Sequence, residues 1–416
     1  MGDSIKQSGR RIFLGNTAAL AVMQVVKYLF PLITLPYLAR VLGADGYSVR
    51  AYVVAFMVFM QTILDFGFAQ YGTKTVAENA NCPNALSSIN TNIYLAKTAM
   101  ALVAGAITSV AVRLIGILSG NALFVAISFV STAFKAYLPD YMLQGLEDMK
   151  SITVRYVVTQ SLALVLIFVF IKSPSDLILV PVFEGLASLL SIIWAAVYLR
   201  RTHSVTLGVA SVVEVKRAIK GSMPFFIAVA ASSFMANTIT VLMGVFPTSS
   251  MIISCWAITA TVMQGIQALW QPVSRSLFPH MVKRRDSSLI KKLLFWGMPI
   301  VLIIVAVCYF AADFIMLVMG GEEYLEGAYI IRYVAPVLLF SYPISILGYP
   351  VIGALGRASQ LSACVAIAGF AQLLFLIIMG LLNVFSIEVI IAARVASETL
   401  LCILECCLAR RVLMSM

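Results

Sequence analysis

The chain has 416 residues, of which 61% are hydrophobic and 11% charged, against ~45–50% and ~25% in soluble domains. That excludes a water-soluble globule. The net charge of +11 does not point to nucleic acid either, because Lys and Arg are spread between apolar blocks instead of gathering into a basic domain.

A hydrocarbon core ~30 Å thick takes ~20 apolar residues per helical span, so this length leaves room for about a dozen crossings. Cutting the apolar blocks at polar, Pro or Gly clusters predicts twelve, near 12–38, 51–71, 92–112, 118–138, 152–172, 177–199, 223–246, 250–272, 293–319, 328–352, 359–383 and 386–408. Lys6, Arg10 and Arg11 ahead of the first give it the start of a signal sequence. Its length and the missing small-residue cleavage site make it a retained helix. With the N-terminus inside, twenty Lys and Arg fall in inner segments and five, Arg40, Arg50, Arg113, Lys172 and Arg332, at outer ends. This bias predicts that both termini are cytoplasmic, in a multi-pass protein of the plasma membrane. The seven cysteines lie mostly within apolar blocks, without a CxxC pair, and read as packing residues.

The expected fold is all-α, with two six-helix lobes, 1–199 and 223–416, joined by a basic cytoplasmic linker, 200–222. A short echo supports duplication: Gly145-Leu146-Glu147-Asp148-Met149-Lys150-Ser151 and Gly353-Ala354-Leu355-Gly356-Arg357-Ala358-Ser359 each follow the fourth span of their half. Pro31, Pro36, Pro224, Pro299, Pro336, Pro343 and Pro350 interrupt spans, as bends for a rocking lobe or as packing irregularities.

An ionisable group in hydrocarbon costs roughly 2.5–3.5 kcal/mol on insertion scales, so each needs a partner, a wet cavity or a task. Lys27 lies deep in the first span, on a polar face with Asn16 and Thr34. Asp65 follows Gln61 by one turn and is placed to pair with Lys97 of the next span, or to stand at a cavity mouth. Arg394 and Glu398 are spaced to neutralise one another. Glu184 and Lys135 have no obvious local partner. The sharpest pattern is Gln264, Gln267, Gln271 and Arg275, at steps of three, four and four, which draws one polar line along the eighth span. Amides suit sugar hydroxyls, and an arginine holds phosphate through two parallel bonds; the bland alternative is glutamine acting as interhelical glue. Ser233, Asn237 and Thr240 are candidates for the facing wall. No GxxxxGK[ST] loop, HExxH or ligand cluster around His203 and His280 is present, so neither nucleotide, metal nor other cofactor is expected.

These residues resemble the Wzx-type O-antigen and polysaccharide flippases of the multidrug/oligosaccharidyl-lipid/polysaccharide (MOP) exporter superfamily, over almost the whole chain. The matching pieces are Leu35-Pro36-Tyr37-Leu38-Ala39-Arg40-Val41-Leu42-Gly43, Asp65-Phe66-Gly67-Phe68, Gln144-Gly145-Leu146-Glu147-Asp148-Met149-Lys150, Gln271-Pro272-Val273-Ser274-Arg275 with Phe278-Pro279-His280, and Gly321-Glu322-Glu323-Tyr324. The resemblance implies a MATE-like transporter that moves a polyprenyl-pyrophosphate-linked oligosaccharide to the outer leaflet by alternating access within a cationic cavity. Membrane lipid and the polymerase and glycosyltransferases of the same pathway would be its partners. On that reading Lys27 and Arg275 meet the anionic head group, Gln264, Gln267 and Gln271 meet sugar hydroxyls, Arg394 is a further substrate-binding candidate, and Asp65, Glu184 and Glu398 are candidates for binding a coupling ion. Arg40, Asp65, Gln144, Gly145 and Glu147 are the family-motif residues. A lipid II flippase or cation-coupled multidrug exporter shares the expected fold. A membrane glycan polymerase or ligase would need a sizeable outer loop, and the outer connections here are a few residues each.

Overall fold

The computed structural model describes the backbone of residues 2–206, 208–284 and 287–414, with side chains from residue 22 onward except 207, 228, 279, 283–286 and 414–416. The side chains of Lys6, Arg10, Arg11, Asn16, Lys283, Arg284 and Arg285 lie outside the described residues. Every regular element described is helical, as hydrocarbon demands of a chain that must satisfy its backbone internally. In chain order these are α1 (Gly2–Asp65), α2 (Phe68–Glu78), α3 (Pro83–Leu114), α4 (Gly116–Ser119), α5 (Ala122–Ala136), α6 (Asp140–Gly145), α7 (Met149–Phe170) and α8 (Leu179–His203). They continue as α9 (Val212–Val245), α10 (Ser250–Gln267), α11 (Gln271–Arg284), α12 (Ser287–Phe310), α13 (Ala312–Met319), α14 (Ala328–Val334), α15 (Val337–Leu347), α16 (Ala358–Leu381) and α17 (Ile387–Met414).

By length and composition, eight of the described helical stretches can cross a membrane, or up to ten if each of two bent pairs is one span. One of those pairs, Glu322–Val334 with Val337–Gly353, bends by 49° around Pro336, as proline in a helix predicts. The count differs from the expected twelve at both ends. Val22–Glu78 counts as one stretch of 57 residues, about 85 Å at 1.5 Å per residue, although two spans were expected there. Its helix is broken at Gly43 (φ 65°, ψ 178°), a conformation that needs glycine. At the other end α17 carries Arg394, Glu398 and Glu405 and is too polar to qualify on composition. The most apolar outer helix identifies the solvent: only 11% of the α12 stretch is buried, and Phe295, Trp296 and Phe310 are each at least 70% exposed. Such a face is stable against acyl chains and not against water.

Contacts divide the chain into two compact units, Met1–Phe30 with Val53–Ala230, and Pro31–Tyr52 with Ala231–Met416. These boundaries differ from the expected lobes in two places. The middle of α1 belongs to the second unit, where the Tyr324 hydroxyl donates to Ala39 O at 3.1 Å and Ser254 Oγ to Ala44 O at 2.7 Å. Residues 200–222 fall within the first unit. Beyond α8, Thr206 N donates to Ser87 Oγ (3.0 Å), Gly208 N to Thr91 Oγ1 (2.8 Å) and Ser211 N to Asn92 Oδ1 (2.9 Å). Three side chains of α3 thus supply the acceptors that an extended strand would otherwise find in a sheet, and α9 begins at once.

The internal echo is present in the backbone, one residue out of the register that aligned Gly145 with Gly353. Asp148 N bonds Leu143 O and Glu147 N bonds Gln144 O; Arg357 N bonds Ile352 O and Gly356 N bonds Gly353 O. With Glu147 (φ 57°) and Gly356 (φ 80°) left-handed, both are Schellman turns, so Glu147 corresponds to Gly356. After the first, Asp148 caps α7 by accepting from Ser151 N at 3.2 Å.

Candidate functional site

The second unit holds a cavity of ≈ 300 Å³ whose lining includes Gln267, Gln271, Arg394 and Glu398. The sequence placed the two glutamines on one helix and the ion pair on another more than a hundred residues away; packing brings them together. Arg394 and Glu398 form the expected ion pair on α17. Ser341 and Ser345 of α15 and Trp270 complete the polar and aromatic part of the wall. The serine hydroxyls are turned back to their own helix, onto Leu338 O and Tyr342 O, a usual outlet for serine within a helix. The α9 wall consists of Ser232, Met235 and Ala236. The expected Ser233, Asn237 and Thr240 do not line this cavity, and Asn237 instead donates to Ser233 O at 3.1 Å.

Only part of the glutamine line reaches the cavity. Gln267 and Gln271 are half-buried and line it, whereas Gln264 and Arg275 are exposed and do not. Between α10 and α11 the chain takes a 3₁₀ turn over Ala268–Trp270, which advances ~120° per residue instead of ~100° and so rotates the following face by about 60°. Trp270, buried edge-on against Tyr342 at 5.8 Å, holds that turn. The motif beyond it is fixed to α15 and the π-helical turn Gly348–Gly353: Ser274 Oγ donates to Ser345 O at 2.8 Å, and Phe278 stacks on Tyr349 at 4.8 Å.

The first unit holds a second polar cluster, with two members that sequence reasoning missed. Gln61 donates to Asp65 at 2.8 Å, but among the described residues no ion pair joins Asp65 to Lys97. Lys97, 3% exposed, donates to Ala136 O and lies 5.3 Å from the centre of the Tyr141 ring. Asp140 pairs with Arg155, whose side chain is 1% exposed. Arg155 is one of the twenty inner basic residues, at the start of the predicted span 152–172. The signal that could have found it is the acidic Asp140 fifteen residues earlier, at the start of the short helix that precedes α7. Glu184 and Lys135, which have no local partner, meet each other across helices: Lys135 Nζ donates to Glu184 Oε2 at 2.6 Å, because α5 and α8 pack side by side.

Lys27 is exposed on α1 and joins neither cluster. The family-motif residues mainly build structure. Arg40 donates to Leu317 O (2.9 Å) and Val318 O (2.7 Å), the carbonyl end of α13, where a cation is favoured. Ala44 N donates to Glu323 Oε1 at 3.3 Å, so two motifs nearly three hundred residues apart meet. Thr73 donates to Gln144 at 3.5 Å. A Cβ added at Gly145 would lie 2.6 Å from Val76 Cγ1, so glycine here lets α2 and α6 touch. Glu147 supplies the left-handed turn already described. No group of three His, Cys, Asp or Glu among the described residues is placed to hold a metal.

A family model described as polysaccharide biosynthesis protein matches residues 13–285. A relative in Escherichia coli (strain K12) is 23% identical over 266 residues, spanning 64% of this chain and 63% of that protein. Another in Shigella dysenteriae is 22% identical over 319 residues, spanning 76% and 80%. Both bear the name "Putative O-antigen transporter". Among solved structures, an inward-facing multidrug resistance MATE transporter of the MOP superfamily shares the fold at a TM-score of 0.69 and 13% identity, over 96% of this chain and 98% of that one. A eukaryotic MATE transporter does so at 0.60 and 13%, over the full length of both. The chain spans just under two thirds of the length of the first of these relatives; with the family match covering more than half of its own length, in a fold shared with MATE transporters and with helices apolar enough to cross a membrane several times, it belongs to the polysaccharide biosynthesis protein family.

Proposed function

We propose that the chain moves a polyprenyl-pyrophosphate-linked oligosaccharide, an O-antigen or similar surface repeat unit, across the plasma (inner) membrane by alternating access, through twelve spans with both termini in the cytoplasm. The polyprenyl tail can stay in lipid, but the pyrophosphate and sugars would lose their hydration in hydrocarbon at prohibitive cost. The observation that carries the reading is the second-unit cavity, where two amides and an arginine line one space. Among the described residues no hydrogen bond ties up Gln267 or Gln271, so both keep donors and acceptors for hydroxyls. The names of the two bacterial relatives support a glycan cargo.

Ion coupling belongs with Asp65 on this reading. Glu184 is neutralised by Lys135 and Glu398 by Arg394, which leaves Asp65, held by an amide, to take up a proton or sodium ion. The test is export. Gln267→Ala with Gln271→Ala, and separately Arg394→Ala, at equal expression, should lower surface glycan about tenfold or more, the loss of ~1.4 kcal/mol or more, while lipid-linked oligosaccharide accumulates in the inner leaflet. Lys27→Ala and Arg275→Ala, outside this cavity, should act more weakly. Undiminished export by the cavity variants would reject the assignment.

A further inference from the structure

The connection between α8 and α9 is firmly held and yet leaves three valines uncovered. Thr206, Gly208 and Ser211 bond to α3, and Ser88 Oγ donates to Val209 O at 3.3 Å. Val205 is buried in the core of this unit, but Val209 is 83% exposed, Val212 72% and Val213 66%. Around them residues 200–222 carry Arg200, Arg201, Lys216, Arg217 and Lys220 against one acid, Glu214. Glu214 is paired with Arg217 at 2.5 Å, and Glu78 of the neighbouring α2 with Lys74 at 3.9 Å. Four exposed cations, Arg200, Arg201, Lys216 and Lys220, therefore have no acid in the segment to offset them. We infer that this basic, valine-bearing surface is a docking site for anionic phospholipid head groups, such as phosphatidylglycerol, at the face of the bilayer. The inference does not depend on which molecule the chain transports.

Periodicity and depth both select lipid. On α9, Val213, Lys216, Lys220, Met223 and Ile227 are exposed and follow at steps of three, four, three and four, which is one face of a helix. The opposite face is the packed one: Ala218 and Ser222 are buried, and Phe226 stacks on Phe66 at 4.4 Å. An uncovered stripe thus runs from the apolar Met223 and Ile227 of the expected span, through two lysines, to the valines. The helix bends by 51° between Val212–Ile227 and Val229–Val245, which lays its first half toward the bilayer surface. With the spanning half upright and hydrocarbon beginning at residue 223, Lys220 and Lys216 stand about 3 and 7 Å outside it, within a head-group layer of ~5–7 Å, and Val213 at its outer edge. Each basic side chain near an anionic surface strengthens attachment several-fold, and valines beside lysines suit the boundary where apolar and charged groups meet. A second copy of the chain is a poor occupant, because it would present the same cations to these.

The experiment uses the full chain with Cys82, Cys402, Cys406 and Cys407 replaced by serine and an environment-sensitive fluorophore on Val213→Cys. It is placed in nanodiscs of phosphatidylcholine alone or with a one-third share of phosphatidylglycerol. Both leaflets then hold the same lipid, so the result is independent of orientation. With phosphatidylglycerol the emission should move to the blue, and a lipid carrying a nitroxide on its head group should quench it at least ~3-fold more than in phosphatidylcholine alone. The gain should vanish when Arg200→Gln, Arg201→Gln, Lys216→Gln and Lys220→Gln are combined, and fade in high salt, which screens surface charge. The salt series needs no change to the four cations, so it decides even where the combined variant fails to fold. Equal quenching in the two lipids overturns the inference, as does a gain that survives both salt and the loss of the four charges. Shielding that needs two copies in one disc and no phosphatidylglycerol would assign the surface to a second copy and overturn it too.

Discussion

Arg155 and Asp140 show what an ionisable side chain in an apolar bundle depends on. The guanidinium is buried, and its Nε and Nη1 have no partner in the protein, so the Asp140 carboxylate balances its charge. Asp140→Ala should therefore destabilise the protein by ~3–5 kcal/mol, the loss typical when one half of a buried pair is removed. Asp140→Leu with Arg155→Met, which removes both charges, should recover most of it. Thermal unfolding of the purified protein in detergent reads the difference; a double variant no better than Asp140→Ala would show that the carboxylate acts through something other than the pair. At this scale the sequence was legible where partners lie one helical turn apart, as with Arg394 and Glu398 or Gln61 and Asp65. It was illegible where the partner comes from another helix. Lys97 looked suited to Asp65 by depth alone, yet its ammonium is taken by the carbonyl end of α5 and the face of Tyr141. Glu184 looked orphaned because Lys135 is forty-nine residues away.

Among the elements, spans were legible from hydropathy and their joints were not. Apolar runs place α3, α5, α7, α8, α12 and α16 close to where they form, since burial in lipid and not local propensity decides them. The 3₁₀ turn at Ala268–Trp270 and the bonds of Thr206, Gly208 and Ser211 to α3 depend on contacts between distant residues, and the turn decides which glutamines reach the cavity. The twin Schellman turns give a graded test of how such joints are held. At Gly145 an added methyl would meet Val76 and the Thr73 carbonyl at 2.6–2.8 Å, forcing α2 from α6. At Gly356 nothing lies within 4 Å, and only the left-handed backbone is penalised, by roughly 1–2 kcal/mol. Gly145→Ala should thus reduce folded yield and lower the melting temperature clearly more than Gly356→Ala, whose loss should stay near ~1 kcal/mol. The reverse order, measured on size-exclusion-purified protein, would mean that the close approach of α2 and α6 relaxes freely.

At the scale of the whole molecule, charge sets orientation and composition sets the medium. Insertion retains short basic segments on the cytoplasmic side, and the twenty-to-five bias of Lys and Arg was readable directly because it needs no knowledge of packing. The grouping of 31–52 with the second unit was not readable, since it follows from contacts such as Tyr324 with Ala39. Orientation can be tested with a residue the chain already carries. Cys82 is exposed between α2 and α3, in a connection assigned to the cytoplasm; Cys406 and Cys407 are exposed near the end of α17, and Cys255 and Cys308 are buried. With Cys406 and Cys407 replaced by serine, a membrane-impermeant maleimide should leave intact spheroplasts unlabelled and modify Cys82 in inside-out vesicles, because the thiolate reacts only where water reaches it. Labelling of intact spheroplasts at Cys82 would invert the topology and place the basic connections outside. A lipid-linked sugar made in the cytoplasm would then meet the acidic connection Glu322-Glu323 on its entry side, where repulsion would oppose its pyrophosphate.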